Sequence, residues 1–174
     1  MAATSVSLYE WKNQIEIRTR EILNLYKQAS CRIATAESCT GGLLAAVLTE
    51  QAGSSTVFER GFVTYSNESK SELLGVPLQL IEEVGAVSQD VARAMAYGAL
   101  HNSKADFSVS ITGIAGPTGG TVEKPIGLVY FGMADKNGTL SHEEERFPST
   151  LSRQEIRSLS VSKALDILQN VFNS

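Results

Sequence analysis

What most restricts the fold of this chain is the order in which its hydrophobic period switches between helix-like and strand-like. Behind Ser7 and Glu10, a capping-box pair, Leu8, Trp11, Ile15, Ile22 and Leu25 recur at helical spacing, which predicts one long amphipathic helix over residues 8–29. Cys31–Ala36 predicts a short strand and Leu43–Glu50 a helix, with Glu37-Ser38-Cys39-Thr40 and then Gly41-Gly42 between them. Val57–Tyr65 is rich in β-branched and aromatic residues and predicts a second strand. Ser69 with Glu72 predicts the capped start of a short helix that ends near Gly75, with Pro77 beyond it. Ser88 caps a further helix to about Ser103, and Phe107–Thr112 alternates like a strand. Ile126–Ala134 and Leu140–Phe147 predict strands joined by Asp135-Lys136-Asn137-Gly138, where Asn-Gly is a hairpin signal. Ser152 with Glu155 opens a last helix carrying Ile156, Leu159, Leu165, Leu168 and Phe172.

The resulting order, α–β–α–β–α–α–β–β–β–α, mixes crossover connections with a hairpin, and helices stand at both chain ends and between strands. Such an order predicts an α/β fold: a single three-layer α/β/α domain with a mixed sheet. At 174 residues one domain is the default, and no linker, repeat or low-complexity stretch divides the chain.

Charge and composition exclude several functions. With 15 Lys and Arg against 19 Asp and Glu, the formal net charge is −4, and no basic cluster offers a local exception. Counterion release therefore gives no drive toward DNA or RNA, and nucleic acid is not an expected partner. The longest unbroken apolar run, Leu43–Leu48, has six residues against the ~20 needed to cross a bilayer, so no membrane span is expected. The first residues lack a basic segment followed by an apolar one, and no secretory signal is expected. Cys31 and Cys39 have neither CxxC spacing nor histidine neighbours, which predicts two reduced thiols in a cytoplasmic protein and no metal site.

Three clusters could carry chemistry. Ser38 falls where a strand leads into a helix, a turn that exposes a hydroxyl and aims backbone N–H groups at a developing oxyanion; equally, Ser38 and Thr40 could be helix caps. A serine nucleophile needs a base. His101 and His142 have no motif around them, whereas Lys70 follows Ser69 into the first turn of a helix, where the dipole disfavours a cation. A lysine base at neutral pH must drop by about three pKa units, ~4 kcal/mol. The dipole supplies only ~0.3–1 kcal/mol, so burial has to supply most of the rest. The other reading is a solvated surface lysine. The second cluster is the loop Gly113–Gly120, with four glycines and a proline in eight residues, which is either an anion cradle or a plain flexible loop. It has neither the GxGxxG spacing nor the Walker lysine. Third, Arg153 and Arg157 share a face of the last helix and are either a phosphate clamp or solvated charges.

Five segments in order, TAESCTGG (Thr35–Gly42), GFVTYSNESK (Gly61–Lys70), GAVS (Gly85–Ser88), ITGIAGPTGG (Ile111–Gly120) and EKPIGLVYF (Glu123–Phe131), resemble the C-terminal domain family of CinA. The resemblance covers residues 31–172, leaving residues 1–30 to one N-terminal helix. Stand-alone members are nicotinamide-nucleotide amidases, so the resemblance implies hydrolysis of nicotinamide mononucleotide to nicotinic acid mononucleotide and ammonia in pyridine-nucleotide salvage. It also implies a Ser–Lys mechanism without metal or cofactor, and a homo-oligomer, a dimer or larger. Under it Ser38 is the nucleophile, Lys70 its base and Tyr65 a neighbour that orients or relays. Glu37, Cys39, Thr40, Gly41, Gly42, Thr112, Gly113, Gly116, Gly119, Gly120 and Arg157 become substrate-binding candidates. The oxyanion would sit on backbone N–H groups at the start of the Thr40–Glu50 helix. One departure is that the Gly-Asp preceding an arginine in many members is absent from Phe147–Arg153. The alternatives are an amidase that uses Cys39, and a nucleotide-binding module without turnover.

Overall fold

The structure, a computed structural model, describes residues 8–172. Along the chain run α1 (Leu8–Gln28), β1 (Ile33–Glu37), α2 (Leu43–Thr49), a 3-10 turn (Ser54–Thr56), β2 (Phe58–Val63), α3 (Asn67–Leu74), α4 (Leu78–Val84), α5 (Gln89–His101), β3 (Phe107–Gly113), β4 (Leu128–Asp135), β5 (Leu140–Arg146) and α6 (Arg153–Asn170). The sheet order is β2-β1-β3-β4-β5, parallel across β2-β1-β3 and antiparallel across β3-β4-β5. This is the mixed sheet with helices on both faces that the alternating periods predict. All five residues of β1 and the first six of β3 are buried, as strands covered on both faces require.

Strand alternation sorts the residues of β1 and β3 onto two cores. On one face Ile33, Val109, Ile111 and Phe131 pack with Ile15, Ile22 and Tyr26 of α1, Leu44 and Leu48 of α2, and Ile156, Leu165 and Leu168 of α6. The other face packs Ala36 against Leu74, Val76 and Ile81 and against Val91 and Met95 of α5. There β3 offers short hydroxyls: Ser108 donates to the Ala96 carbonyl at 2.7 Å, Ser110 to Ala92 at 2.6 Å and Thr112 to Ala86 at 2.8 Å. Small side chains bring α5 close; a Cβ on Gly132 would stand 2.2 Å from the Ala92 oxygen.

Two elements differ from the sequence expectation. The cap of α3 is Ser66, whose Oγ accepts the Ser69 N–H at 3.1 Å, so Ser69 is not the cap and Lys70 is the fourth residue of the helix. Pro77 does not merely follow α3: its fixed φ of −61° starts α4, a seven-residue helix with Ile81 as its buried residue, too short to show a period. The capping box at Ser152 and Glu155 is present as expected. Ser7, the expected cap of α1, lies outside the described residues.

From β1 the chain crosses through α2 to β2 on one side, then returns through α3, α4 and α5 to β3 on the other. The two crossovers leave a crevice at the C-terminal ends of β1 and β3, where open α/β sheets bind ligands. Ser38 and the Gly113–Gly120 loop both begin there.

Candidate active site

Glu37 ends β1 on the face of Ile33 and Thr35, and Ser38 follows on the opposite face. That parity separates their roles. The Glu37 carboxylate is fully buried and accepts the N–H groups of Gly42 at 3.1 Å, Leu44 at 3.0 Å and Ala45 at 2.8 Å. It caps α2, whose own N-cap, Gly42, has no side chain to do so. Glu37, expected to bind substrate, is thus engaged in holding the turn. Gly41 and Gly42 have φ of 59° and 91°, left-handed values that glycine adopts without a Cβ penalty.

Ser38 turns toward α3. Its Oγ lies 3.2 Å from the Lys70 Nζ, and that nitrogen also bonds the Thr64 carbonyl at 2.9 Å and the Ser66 carbonyl at 3.4 Å. Lys70 is 1 % exposed, among the largest fully buried side chains of the protein. The solvated-lysine reading is therefore overturned. Burial pushes its pKa below the usual lysine value, against a smaller upward pull from Cys39 and Glu68. Desolvation does this work rather than the helix dipole, since Lys70 lies past the first turn. A neutral amine has two N–H donors and one lone pair. In that form the two carbonyls take the donors and the lone pair accepts from the Ser38 hydroxyl, whereas the ammonium form donates to the same three oxygens.

Backbone bonding narrows the expected oxyanion site at the start of the helix. Gly41 donates to Ser38, Leu43 to Thr40, and Gly42, Leu44 and Ala45 to Glu37, so those five N–H groups are engaged. Among the described residues, the N–H groups of Cys39 and Thr40 are the donors of this turn left without a partner from another residue. Cys39 itself is 6 % exposed within the core around Leu44, and burial pushes its thiol up to about 12, the reverse of an activated nucleophile.

Ser38 and Lys70 open onto a cavity of about 280 Å³ between the loops after β1, β2 and β3. Tyr65, Asn67, Thr112, Gly113, Gly116 and Gly119 line it. Tyr65 is 62 % exposed, and its hydroxyl accepts from Arg153 at 2.9 Å; no hydrogen bond joins it to Ser38 or Lys70 among the described residues. Gly113 and Gly120 stand where a Cβ would meet β4 or Ile126 at 2.7–2.8 Å, so both serve packing of the loop. Arg157, expected to bind substrate, is not among the residues lining the cavity; its Nη2 donates to the Thr40 carbonyl at 2.7 Å. Arg153, one helical turn earlier, lines the cavity instead. Alternation of hydrophobic residues along α6 does not distinguish the two. His101 and His142 are both exposed and neither reaches Ser38. Among the described residues no group of three or more His, Cys, Asp or Glu side chains could hold a metal, and no helix is long and apolar enough to cross a membrane.

Comparison with known proteins places the chain among these sequences. The CinA C-terminal domain matches residues 16–172. A nicotinamide-nucleotide amidohydrolase PncC of Enterobacter agglomerans is 54% identical over 115 residues, 66% of this chain and 70% of that protein. A CinA-like protein of Geobacter sulfurreducens is 49% identical over 148 residues, 85% of this chain but 35% of that protein. The chain thus spans about a third of the length of the CinA-like relatives it matches. The crystal structure of a competence/damage inducible protein from Agrobacterium tumefaciens superposes with a TM-score of 0.88 at 47% identity, covering 92% of this chain and 96% of that one.

Proposed function

The chain belongs to the CinA C-terminal domain family, and on that premise we propose that it is an amidohydrolase converting nicotinamide mononucleotide to nicotinic acid mononucleotide and ammonia. The observation that carries this reading is a lysine 1 % exposed with its nitrogen 3.2 Å from a serine hydroxyl at the mouth of a cavity. The 54% identity to a protein named for this activity supports the substrate.

Neutral Lys70 takes the Ser38 proton as the oxygen attacks the carboxamide carbon. The oxyanion that forms is held by the N–H groups of Cys39 and Thr40. Protonated Lys70 then gives its proton to the departing nitrogen, which leaves as ammonia, and Ser38 carries a nicotinoyl ester. Water attacks that ester while Lys70 accepts its proton, and the proton returns to the Ser38 oxygen as the acid leaves. Arg157, bonded to the Thr40 carbonyl, steadies the turn that presents those donors. Tyr65 and the Gly113–Gly120 loop bound the cavity in which the pyridine lies. The reaction serves pyridine-nucleotide salvage in the cytoplasm, carried out by a homo-oligomer.

Ammonia release from nicotinamide mononucleotide by the purified protein tests the reading. Wild type should release it, Ser38→Ala should not while still binding the substrate, and Lys70→Arg should not rescue Lys70→Ala because guanidinium stays protonated. A wild-type protein that binds the mononucleotide and releases no ammonia would instead be a binding module.

A further inference from the structure

The geometry points to Lys124 as a positioning residue for substrate binding: from outside the cavity its ammonium pins the turn Gly85–Ser88, and with it the wall that Ala86 and Val87 give to the site. That the substrate is the mononucleotide rests on the amidase reading; the clamp itself does not.

Two of the five sequence segments, GAVS (Gly85–Ser88) and EKPIGLVYF (Glu123–Phe131), have no part in the chemistry of Ser38 and Lys70. In space they meet. The Lys124 Nζ donates to the Val84 carbonyl at 2.6 Å, across 40 residues of sequence. Val84 is the last residue of α4, so its carbonyl is one that the helix itself leaves free. A Cβ on Gly85, which has φ of 79°, would stand 2.7 Å from that nitrogen. The ammonium therefore lies directly over the turn, and glycine leaves it room. Glu82, Glu83 and Glu123 are exposed, yet Lys124 is half-buried and bonds the carbonyl instead of any of them. A bond from a charged donor is stronger than one between neutral groups.

The turn is held at three points. Lys124 fixes its start, Thr112 donates from β3 to the Ala86 carbonyl at 2.8 Å, and Ser88 closes its end by donating to the Gly85 carbonyl at 3.0 Å. Lys124 is in turn set by its own loop: its N–H donates to the Thr121 hydroxyl at 3.0 Å, and its carbonyl accepts the Thr121 N–H at 2.8 Å. It thus joins the loop after β3 to the turn between α4 and α5, two segments that both contribute to the cavity lining. Lys124 is not among the lining residues. Ser38 and Lys70 are held by the Thr64 and Ser66 carbonyls and by each other, none of which Lys124 touches. Loss of its bond should therefore leave the reacting groups in place and cost the pre-organisation of the wall, which the substrate then has to restore on binding. Such a defect raises KM and spares kcat.

The test measures kcat and KM for nicotinamide mononucleotide on the purified protein, beside hydrogen exchange of residues 80–88 followed by mass spectrometry. Lys124→Met keeps the aliphatic stem and removes the donor. It should raise KM by about 3- to 30-fold, the range for a residue coupled to a site it does not touch, with kcat within about twofold. Exchange in 80–88 should quicken, while the pH dependence of kcat, set by Lys70, should not move. Lys124→Arg, which still donates, should recover part of the loss, and Lys124→Gln, a neutral donor, replaces Lys124→Met if that variant does not fold. Lys12→Met, at an exposed lysine of α1, should match wild type. A KM within about twofold of wild type in Lys124→Met, or a fall in kcat at unchanged KM, overturns the positioning role. If wild type releases no ammonia, the amidase reading falls and the exchange alone decides. Unchanged exchange in 80–88 then overturns the clamp; exchange quickened in Lys124→Met and slowed again in Lys124→Arg upholds it.

Discussion

Replacing Glu37 by Gln exchanges one buried carboxylate oxygen for an amide nitrogen and removes a charge. In the wild type the carboxylate takes three backbone N–H groups, from Gly42, Leu44 and Ala45, at 2.8–3.1 Å with no exposure to water. The amide keeps one acceptor oxygen, and its NH2 must face a backbone donor. At least one N–H then loses its partner, at about 1–3 kcal/mol. Loss of the negative charge at the start of α2 adds about 0.3–1 kcal/mol. We expect a destabilisation of about 1–4 kcal/mol, which for a chain of this length lowers Tm by about 3–16 °C. Thermal unfolding followed by circular dichroism reads this, with Glu50→Gln, an exposed carboxylate at the other end of α2, expected within ~0.5 kcal/mol of wild type. Activity should fall too, because Ser38 rides on the same turn. A Glu37→Gln protein that melts with wild type yet no longer binds mononucleotide would refute the reasoning and return Glu37 to the substrate contacts.

Because burial holds the Lys70 pKa below the lysine norm and the reaction needs its neutral form, kcat/KM should rise with pH along an acid limb and level off above it. The pH–rate profile checks this, and a limb that falls with rising pH in the same range would contradict it. Iodoacetamide should leave activity unchanged in the folded protein, since Cys39 is buried and its thiol is pushed up to about 12; inactivation abolished by Cys39→Ser would restore the thiol mechanism. Gly98→Ala should cost about 1–3 kcal/mol or more in chemical denaturation, because its Cβ would stand 2.0 Å from the Leu74 carbonyl oxygen where α5 crosses α3. Wild-type stability there would mean the two helices separate freely.

The elements readable in the sequence were those long enough to repeat a period or marked by a cap. The twenty-one residues of α1 and the capping box at Ser152 are of that kind. α4 was not, since its seven residues bury one side chain and its start is set by a proline that also ends segments. Ser69 with Glu72 has the spelling of a capping box, yet Ser66 is the cap; the choice between two serines three apart is settled by packing that sends Lys70 inward to Ser38. Within the site, Ser38 and Lys70 are marked by local chemistry and resemblance, but their juxtaposition depends on β2 lying beside β1. Alternation along β1 already separates Glu37 from Ser38, yet it does not say which face holds the ligand. That follows from the path of the crossovers. Arg153 and Arg157 share a helical face in sequence, and only the depth of α6 against the α2 turn makes one line the cavity and the other brace Thr40.

The proton acceptor of Ser38 can be observed without turnover. Lysine side chains labelled with carbon-13 at Cε report each ammonium's titration by NMR, and Lys70→Arg assigns the missing signal. Lys70 should lose its proton at lower pH than the solvent-facing lysines, whose reference value is about 10.4. A Lys70 signal that titrates together with them would leave Ser38 without a base.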